Sequence, residues 1–428
     1  MRVTLWFLGL FGMAVAIALF AGNNQGTITV FWPPYRVDLS LNLVLLLLAL
    51  LFFILHVALR AQAALFAIPG HAHAWRMQHQ ERAMHMAFLD AFSHLVAGRF
   101  LRARKAAELV LARERAMTRA GDTLVYAGRL RALAHLLAAE SAQALQDKAG
   151  REIHFSQAVE QALQHDTSET REGLQLRAAR WALEEHDAQA SLQWLDELAQ
   201  GASRRTIALR LRLKAARMAR HTRLALETAR LLAKHRAFSA LAAQGILRGL
   251  ALEWIATARD PEQLLSAWQQ LDAAERAQPE VALEACRRML VLGGDVAVAR
   301  DWLLPVWDSM VAQPAGLSDT QRYALIAALE NSFSPASGAP EAAWLTRIEQ
   351  AQMGQPGDAA LQYLAGVTCM RLQLWGKAQQ LLTQSLPRLQ HEGLVRKAWL
   401  ALAELAEQRG DAPSAAQAWK NAAKAINT

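Results

Sequence analysis

Thirteen histidines are distributed along the chain, and five crowd one short segment: His71, His73, His79, His85 and His94. Neutral imidazole is a common ligand for transition metals and haem iron. His71, His73 and His79 are therefore the candidates for a haem or metal site. The spacing argues the other way for the first two. Residues two apart do not share a helix face, so this stretch also fits an interfacial helix with uncommitted histidines. His56 stands alone in an apolar run, where a neutral ring near a helix end reaches the interface. The two cysteines, Cys286 and Cys369, form no CxxC pair, zinc knuckle or c-type haem motif. They read as buried free thiols in a reducing compartment. No GxxxxGK[ST], GxGxxG, HExxH or GxSxG occurs, so phosphate-cradling, dinucleotide, zincin and hydrolase chemistry are unsupported. Carboxylates fall beside Arg or Lys, as on solvated helix faces. We expect no catalytic residues, no metal and no required cofactor, with haem the one cofactor to test.

The elements that would carry these residues begin with two apolar runs. No charged residue occurs from Val3 to Ala21 or from Leu39 to Leu59. A bilayer core about 30 Å thick needs roughly 20 apolar residues in a helix. We therefore expect spans at about 3–21 and 39–59, forming a membrane hairpin over residues 1–60. The first run has a rival reading as a cleavable signal peptide, although its small residues Ala14, Ala16 and Ala18 lie inside the run. The loop 22–38 alternates like a short strand and turns at Pro33-Pro34. Arg60, Arg76, Arg82, Arg99, Arg102, Arg104 and Lys105 follow the second span, against Arg36 alone in the loop. By the positive-inside rule the main domain and both termini face the cytoplasm, with Trp6, Trp32, Tyr35 and Trp75 near the interfaces.

The net charge of +8 is mostly arginine, concentrated in residues 99–131 and 204–236. The second stretch carries eleven basic residues against Glu227 alone. Solvated helical faces, anionic lipid or an acidic partner, and nucleic acid are the alternatives. Few aromatic residues interleave with these charges, so a nucleic-acid partner is not expected.

Beyond residue 75 the chain is rich in Ala, Leu, Gln, Glu and Arg, which are good helix formers. Apolar residues recur at three and four, as in Trp181, Leu183, Leu192, Leu195 and Leu198. Gly150, Gly201, Pro261, Pro279, Gly293-Gly294, Pro314, Pro335 to Pro340 and Pro356-Gly357 punctuate the pattern. The clearest unit is Trp399, Leu402, Ala403, Gly410, Asp411, Ala415 and Trp419, which matches the tetratricopeptide (TPR) pattern of large and small residues on paired helices. Gly366, Cys369, Trp375, Ala378 and Leu382 repeat it 37 residues earlier. Gly98-Arg99-Phe100 with Ala103, Glu185-His186-Asp187, and Gly294-Asp295 with Ala299 are weaker copies. The expected fold is all-α: the membrane hairpin, then a cytoplasmic TPR-like α-solenoid, with one helical region at 61–335 and C-terminal repeats at 341–428.

These features together resemble the HemY family of proteobacterial inner-membrane proteins. The resemblance rests on Gly26-x-x-x-Val30 leading through a turn to Val37-Asp38-Leu39, on Gly98-Arg99-Phe100, on Ala138-Ala139-Glu140-Ser141-Ala142 and on Gly410-Asp411-Ala412. It implies involvement in a late step of protohaem IX synthesis without an established catalytic step. The flavin-dependent oxidase that shares the family's name needs a GxGxxG that this chain lacks. The expected function is a non-catalytic inner-membrane scaffold whose partners are late haem-pathway enzymes. The alternatives are a TPR scaffold for lipopolysaccharide or secretion control and a direct haem or porphyrin binder.

Overall fold

The computed structural model describes residues 2–23, 25–164, 168–333 and 339–425. Its contacts divide the chain into two units, 1–171 and 172–428.

The first unit opens with helix α1 (Arg2–Asn23) and a two-stranded antiparallel hairpin, β1 (Thr27–Trp32) and β2 (Tyr35–Ser40). Trp32 pairs with Tyr35 around a cis Pro33-Pro34 bond. The alternation and the turn were legible in the sequence, but the pairing carries the second strand through Ser40, where a span was expected from residue 39. Ser40 caps α2 (Leu41–Val96), its side chain accepting from the Leu43 amide at 3.3 Å. α2 has 56 residues, about 84 Å at 1.5 Å per residue, and its backbone stays helical through Pro69-Gly70. Its segment Leu41–Gln62 is long and apolar enough to cross a membrane, with mean hydropathy 2.8 and none of it buried. In α1 the described apolar stretch is shorter, Leu8–Leu19.

The far half of α2 packs on α3 (Phe100–Arg119), and α4 (Ala127–Ala144) on α3 and on α5 (Lys148–Gln164). Alanines make this possible. Ala91, Ala103, Ala107, Ala134, Ala138, Ala158 and Ala162 are buried at the contacts, where small side chains let helices approach closely. Met84, Val110, Leu111 and Met117 fill the space between them.

Helix α6 (Ser168–Glu184) leads into the second unit. There follow α7 (Ala188–Asp196), α8 (Gln200–Ser203), α9 (Thr206–Met218), α10 (Thr222–Lys234), α11 (Ala240–Thr257), α12 (Pro261–Gln269) and α13 (Ala273–Arg276). Then come α14 (Pro279–Val291), α15 (Val296–Ala312), α16 (Asp319–Ser332) and α17 (Ala339–Gly354), and finally α18 (Ala359–Arg371), α19 (Trp375–Ser385), α20 (Glu392–Gln408) and α21 (Ala412–Lys424). Pro261 and Pro279 begin helices, as their missing N–H allows. Two expected breakers do not break. Gly150 lies within α5, its amide donating to the Asp147 carboxylate at 2.9 Å, and Gly201 lies within α8. Pro335 to Gly338 fall outside the described residues. A single apolar cluster contains Leu329 and Phe333 before them and Trp344 and Ile348 after them.

The element that generates the repeats is one turn used many times. After α2, α3, α4, α6, α9, α10, α14, α18 and α20 the chain places a residue at positive φ: Gly98, Gly121, Gln146, His186, Arg220, Arg236, Gly293, Gln373 and Gly410. The next amide then reaches five residues back, as in Arg99 N–H to His94 O, Asp187 to Ala182, His221 to Ala216, Leu374 to Cys369 and Asp411 to Ala406. This is the left-handed helix stop that satisfies the last carbonyls. At five of these nine positions the residue is not glycine, at a conformational cost of about 1 kcal/mol each. This is why glycine spacing alone understates the repeat number. Where an aspartate follows, it caps the next helix: Asp187, Asp295 and Asp411 each accept from a backbone amide two or three residues on. The result is a TPR-like α-solenoid of helix pairs.

Candidate functional site

Within the second unit, α11, α14, α16, α18 and α20 pack side by side, each on the next, while α10, α15, α19 and α21 pack alongside them. The alternate helices share aromatic contacts: Trp268 of α12 stacks on Trp302 of α15 at 4.7 Å, and Trp307 meets Trp344 of α17 edge-on at 5.7 Å. One face of the inner row is left open.

Helix α14 shows how the sequence builds that face. Val281, Ala282, Ala285, Cys286 and Met289 are buried in the core. Glu280, Leu283, Glu284, Arg287, Leu290 and Val291, at the same helical spacing on another side, line a groove of about 950 Å³. Leu252 and Ala256 of α11 and Ala324, Ala327 and Ala328 of α16 complete its walls. α14 thus carries a second apolar stripe beside its buried one, half-buried against the core at Leu283 and Leu290 and exposed at Val291, and this stripe is the signal that would have pointed to the site.

The polar groups of the groove are tied across it. Glu280 accepts from Arg248 of α11 and from the Gln321 amide of α16, both at 3.0 Å. Gln321 is itself held by the Ser318 capping box. These bonds join three successive inner helices and hold their spacing. Glu284 pairs with Arg287 along α14 at 2.5 Å, and Glu253 stands exposed at the wall toward α9. A second, more polar hollow of about 460 Å³ adjoins at Glu253 and Ala256, where Arg217, Arg220 and Thr222 meet α11. Apolar floor, mixed-charge rim and rigid helical walls suit a peptide segment.

The TPR-signature residues sit in the last two helix pairs. Gly366 of α18 is buried against Leu382 of α19, and Ala378, Ala403 and Ala415 are buried at helix contacts. Gly410 is the left-handed turn residue at φ +75°. Trp375, Trp399 and Leu402 are half-buried. Trp419 is exposed and donates its indole N–H to Glu407 at 2.8 Å.

The histidine segment does not converge on one site among the described residues. His71 lies where only the helical backbone is described. His73 Nε2 is 3.4 Å from an Asp122 carboxylate oxygen, His79 stacks on Trp75, and His85 stacks on Tyr126, 3.1 Å from its hydroxyl. Burial, and then Glu81 accepting from the hydroxyl, push the Tyr126 phenol up to about 12. A pair that the sequence did not reveal lies between α4 and α5, where the Nδ1 atoms of His135 and His154 are 3.1 Å apart. Burial pushes His135 down to about 4, with His154, Arg115 and Arg131 adding repulsion. Burial lowers His154 as well. Cys286 and Cys369 are both buried and free, and burial pushes their thiols up to about 12 and 11.

Residues 26–146 match a family model described as HemY protein N-terminus. No curated protein matches the chain. Among solved structures, a chain of the APC/C hetero-tetramer Cut9-Hcn1 is 15% identical, with TM-score 0.27 over 79% of this chain and 66% of that one. Yeast Tom70 is 12% identical, with TM-score 0.29 over 74% and 62%. The TPR domain of P58(IPK) is 11% identical, with TM-score 0.21 over 76% and 99%. The chain spans less than two thirds of the first two of these chains, and its assignment as a repeat protein stands on its own turns and helix pairs. Residues 26–146 are thus similar to the N-terminal domain of HemY proteins.

Proposed function

We propose that the protein is a non-catalytic, membrane-anchored scaffold that holds a protein partner in the α11–α14–α16 groove, and that it serves a late step of protohaem IX synthesis. The observation that carries the scaffold reading is the second apolar stripe of α14. Leu283, Leu290 and Val291 contribute to an open groove of about 950 Å³, and a stripe of this kind is explained by something that covers it. The anchor reading rests on Leu41–Gln62, which is apolar and unburied. α1 inserts beside it in this reading, and the arginines that follow the apolar segment of α2 keep the repeats and both termini on the cytoplasmic side of the inner membrane. The pathway is supported by the family alone. Porphyrins partition into bilayers, so enzymes held at the membrane would receive them there.

Affinity purification of the tagged full chain from detergent-solubilised membranes tests this. A late haem-pathway enzyme should co-purify, and the pair Leu252→Glu and Leu283→Glu should abolish the association while leaving far-UV circular dichroism unchanged. Normal porphyrin levels with an altered envelope on depletion would overturn the pathway. A haem Soret band in the purified chain, lost on His73→Ala, would favour a direct haem binder instead.

A further inference from the structure

The register of the β hairpin separates its side chains with little mixing. The cross-strand pairs Ile28–Leu39, Val30–Val37 and Trp32–Tyr35 alternate with Thr27–Ser40, Thr29–Asp38 and Phe31–Arg36. Successive residues of a strand point to opposite faces, so the first three pairs make one wholly apolar face. The other face carries the polar groups, which satisfy one another. The Thr29 hydroxyl donates to Asp38 at 2.6 Å, Arg36 Nε lies 3.4 Å from the same carboxylate oxygen, and the guanidinium sits over the Phe31 ring at 5.5 Å. Among the described residues nothing covers the apolar face. Val30 is 44% exposed, Val37 46%, Tyr35 72% and Trp32 75%.

We propose that this face lies on the lipid surface of the bilayer that α2 crosses, on the side away from the repeats. The inference rests on the anchor reading above. Four observations favour lipid over a protein partner. First, the Leu41 amide donates to the Gly26 carbonyl at 2.8 Å, closing the base of the hairpin at the first turn of the apolar helix. Its apolar face therefore begins where the exposed leucines Leu43 and Leu45 begin. Second, Trp32 and Tyr35 stand opposite each other at the tip, and these are the side chains that favour the headgroup layer. Third, Pro33 and Pro34 carry no amide hydrogen, so the tip brings few unpaired donors into a poorly hydrated layer. Fourth, two strands of six residues cover only about 20 by 10 Å. That footprint is far below the roughly 800 Å² per partner of a stable protein interface. A lipid surface needs no shape match. Arg36 is already paired with Asp38, so attachment requires no anionic lipid.

Nitroxide labels on the full chain in phosphatidylcholine nanodiscs test the proposal. Single cysteines at Val30, Thr29 and Leu47 report the apolar face, the polar face and the α2 span, while the native thiols stay buried. The Val30 label should be relaxed by oxygen and shielded from a water-soluble nickel chelate, and the adjacent Thr29 label should show the inverse. Replacing a quarter of the lipid with phosphatidylglycerol should change neither. The double variant Trp32→Ser and Tyr35→Ser should return the Val30 label to water. If Val30 and Thr29 are equally open to nickel while Leu47 is in lipid, the hairpin proposal fails and the anchor stands. If Leu47 is also open to nickel, the anchor fails with it. Dipolar broadening at Val30 that disappears on dilution with unlabelled chain would show that a second copy covers the face, and would overturn the proposal.

Discussion

Gly366→Ala is the most informative single perturbation of the repeat architecture. Gly366 lies on α18 facing α19, and a Cβ there would stand 2.8 Å from Leu382 Cγ, 3.0 Å from Cδ2 and 3.3 Å from the Leu382 amide nitrogen. Carbon atoms prefer about 3.5–4.0 Å. Leu382 is fully buried and has no open space into which to swing. Overpacking of this kind costs about 1–3 kcal/mol, while alanine's helix propensity returns about 0.5–1 kcal/mol. We expect Gly366→Ala to destabilise the α18–α19 pair by about 1–2 kcal/mol. Leu382→Ala alone should cost about 2–5 kcal/mol through its cavity. It also deletes the two atoms that the new methyl would meet. In that background the cost of Gly366→Ala should fall close to zero, because only the tight 3.3 Å contact with the Leu382 amide nitrogen remains to offset the helix-propensity gain. Hydrogen exchange of the α18 and α19 amides reads this local opening energy directly, without requiring the whole chain to unfold in one step. A cost of equal size in both backgrounds, or a gain in the wild type, would refute the close-approach reasoning.

His135 supplies a pH dependence. Its folded value lies near 4 against an ordinary 6.5, so below pH 6.5 the unfolded chain binds the extra proton and folding weakens as pH falls through that window. The loss should reach about 3 kcal/mol near pH 4. His135→Leu should flatten exchange protection of the α4–α5 amides between pH 7.5 and 5, and an unchanged pH slope would count against it. Arg230 donates to both oxygens of the buried Glu275, at 2.9 and 2.5 Å, joining α10 to α13. Arg230→Leu leaves that carboxylate with the Asp272 amide as its remaining described donor and should cost about 3 kcal/mol or more, whereas Arg230→Leu with Glu275→Leu should recover part of it, less the lost capping bond to Asp272, measured by exchange in both helices. Cys286 and Cys369 should resist alkylation at pH 8 until denaturant is added, because both thiols are buried and held above the ordinary range. Modification of either in the native chain would show that its helix pair opens.

Local chemistry alone made several features readable. An uncharged apolar run longer than 18 residues is too costly to leave in water, so a span at about 39–59 could be read before any fold was known, and it overlaps the apolar segment Leu41–Gln62 of α2. The apolar spacing of Trp181, Leu183, Leu192, Leu195 and Leu198 marked buried helix faces, and all five are buried in and just after α6 and α7. Gly98 and Gly410 marked turns, because left-handed backbone favours glycine. Tertiary structure decided the rest. The turns at His186, Arg220 and Gln373 use side chains that rarely adopt positive φ, and only helix packing on both sides makes that strain tolerable. The His135–His154 pair joins residues nineteen apart, brought together by the α4–α5 contact. The groove is a property of three helices whose residues are each ordinary in isolation. The sequence determined that α14 has two apolar sides. Only the packing of α11 and α16 beside it decided which side became core and which was left open.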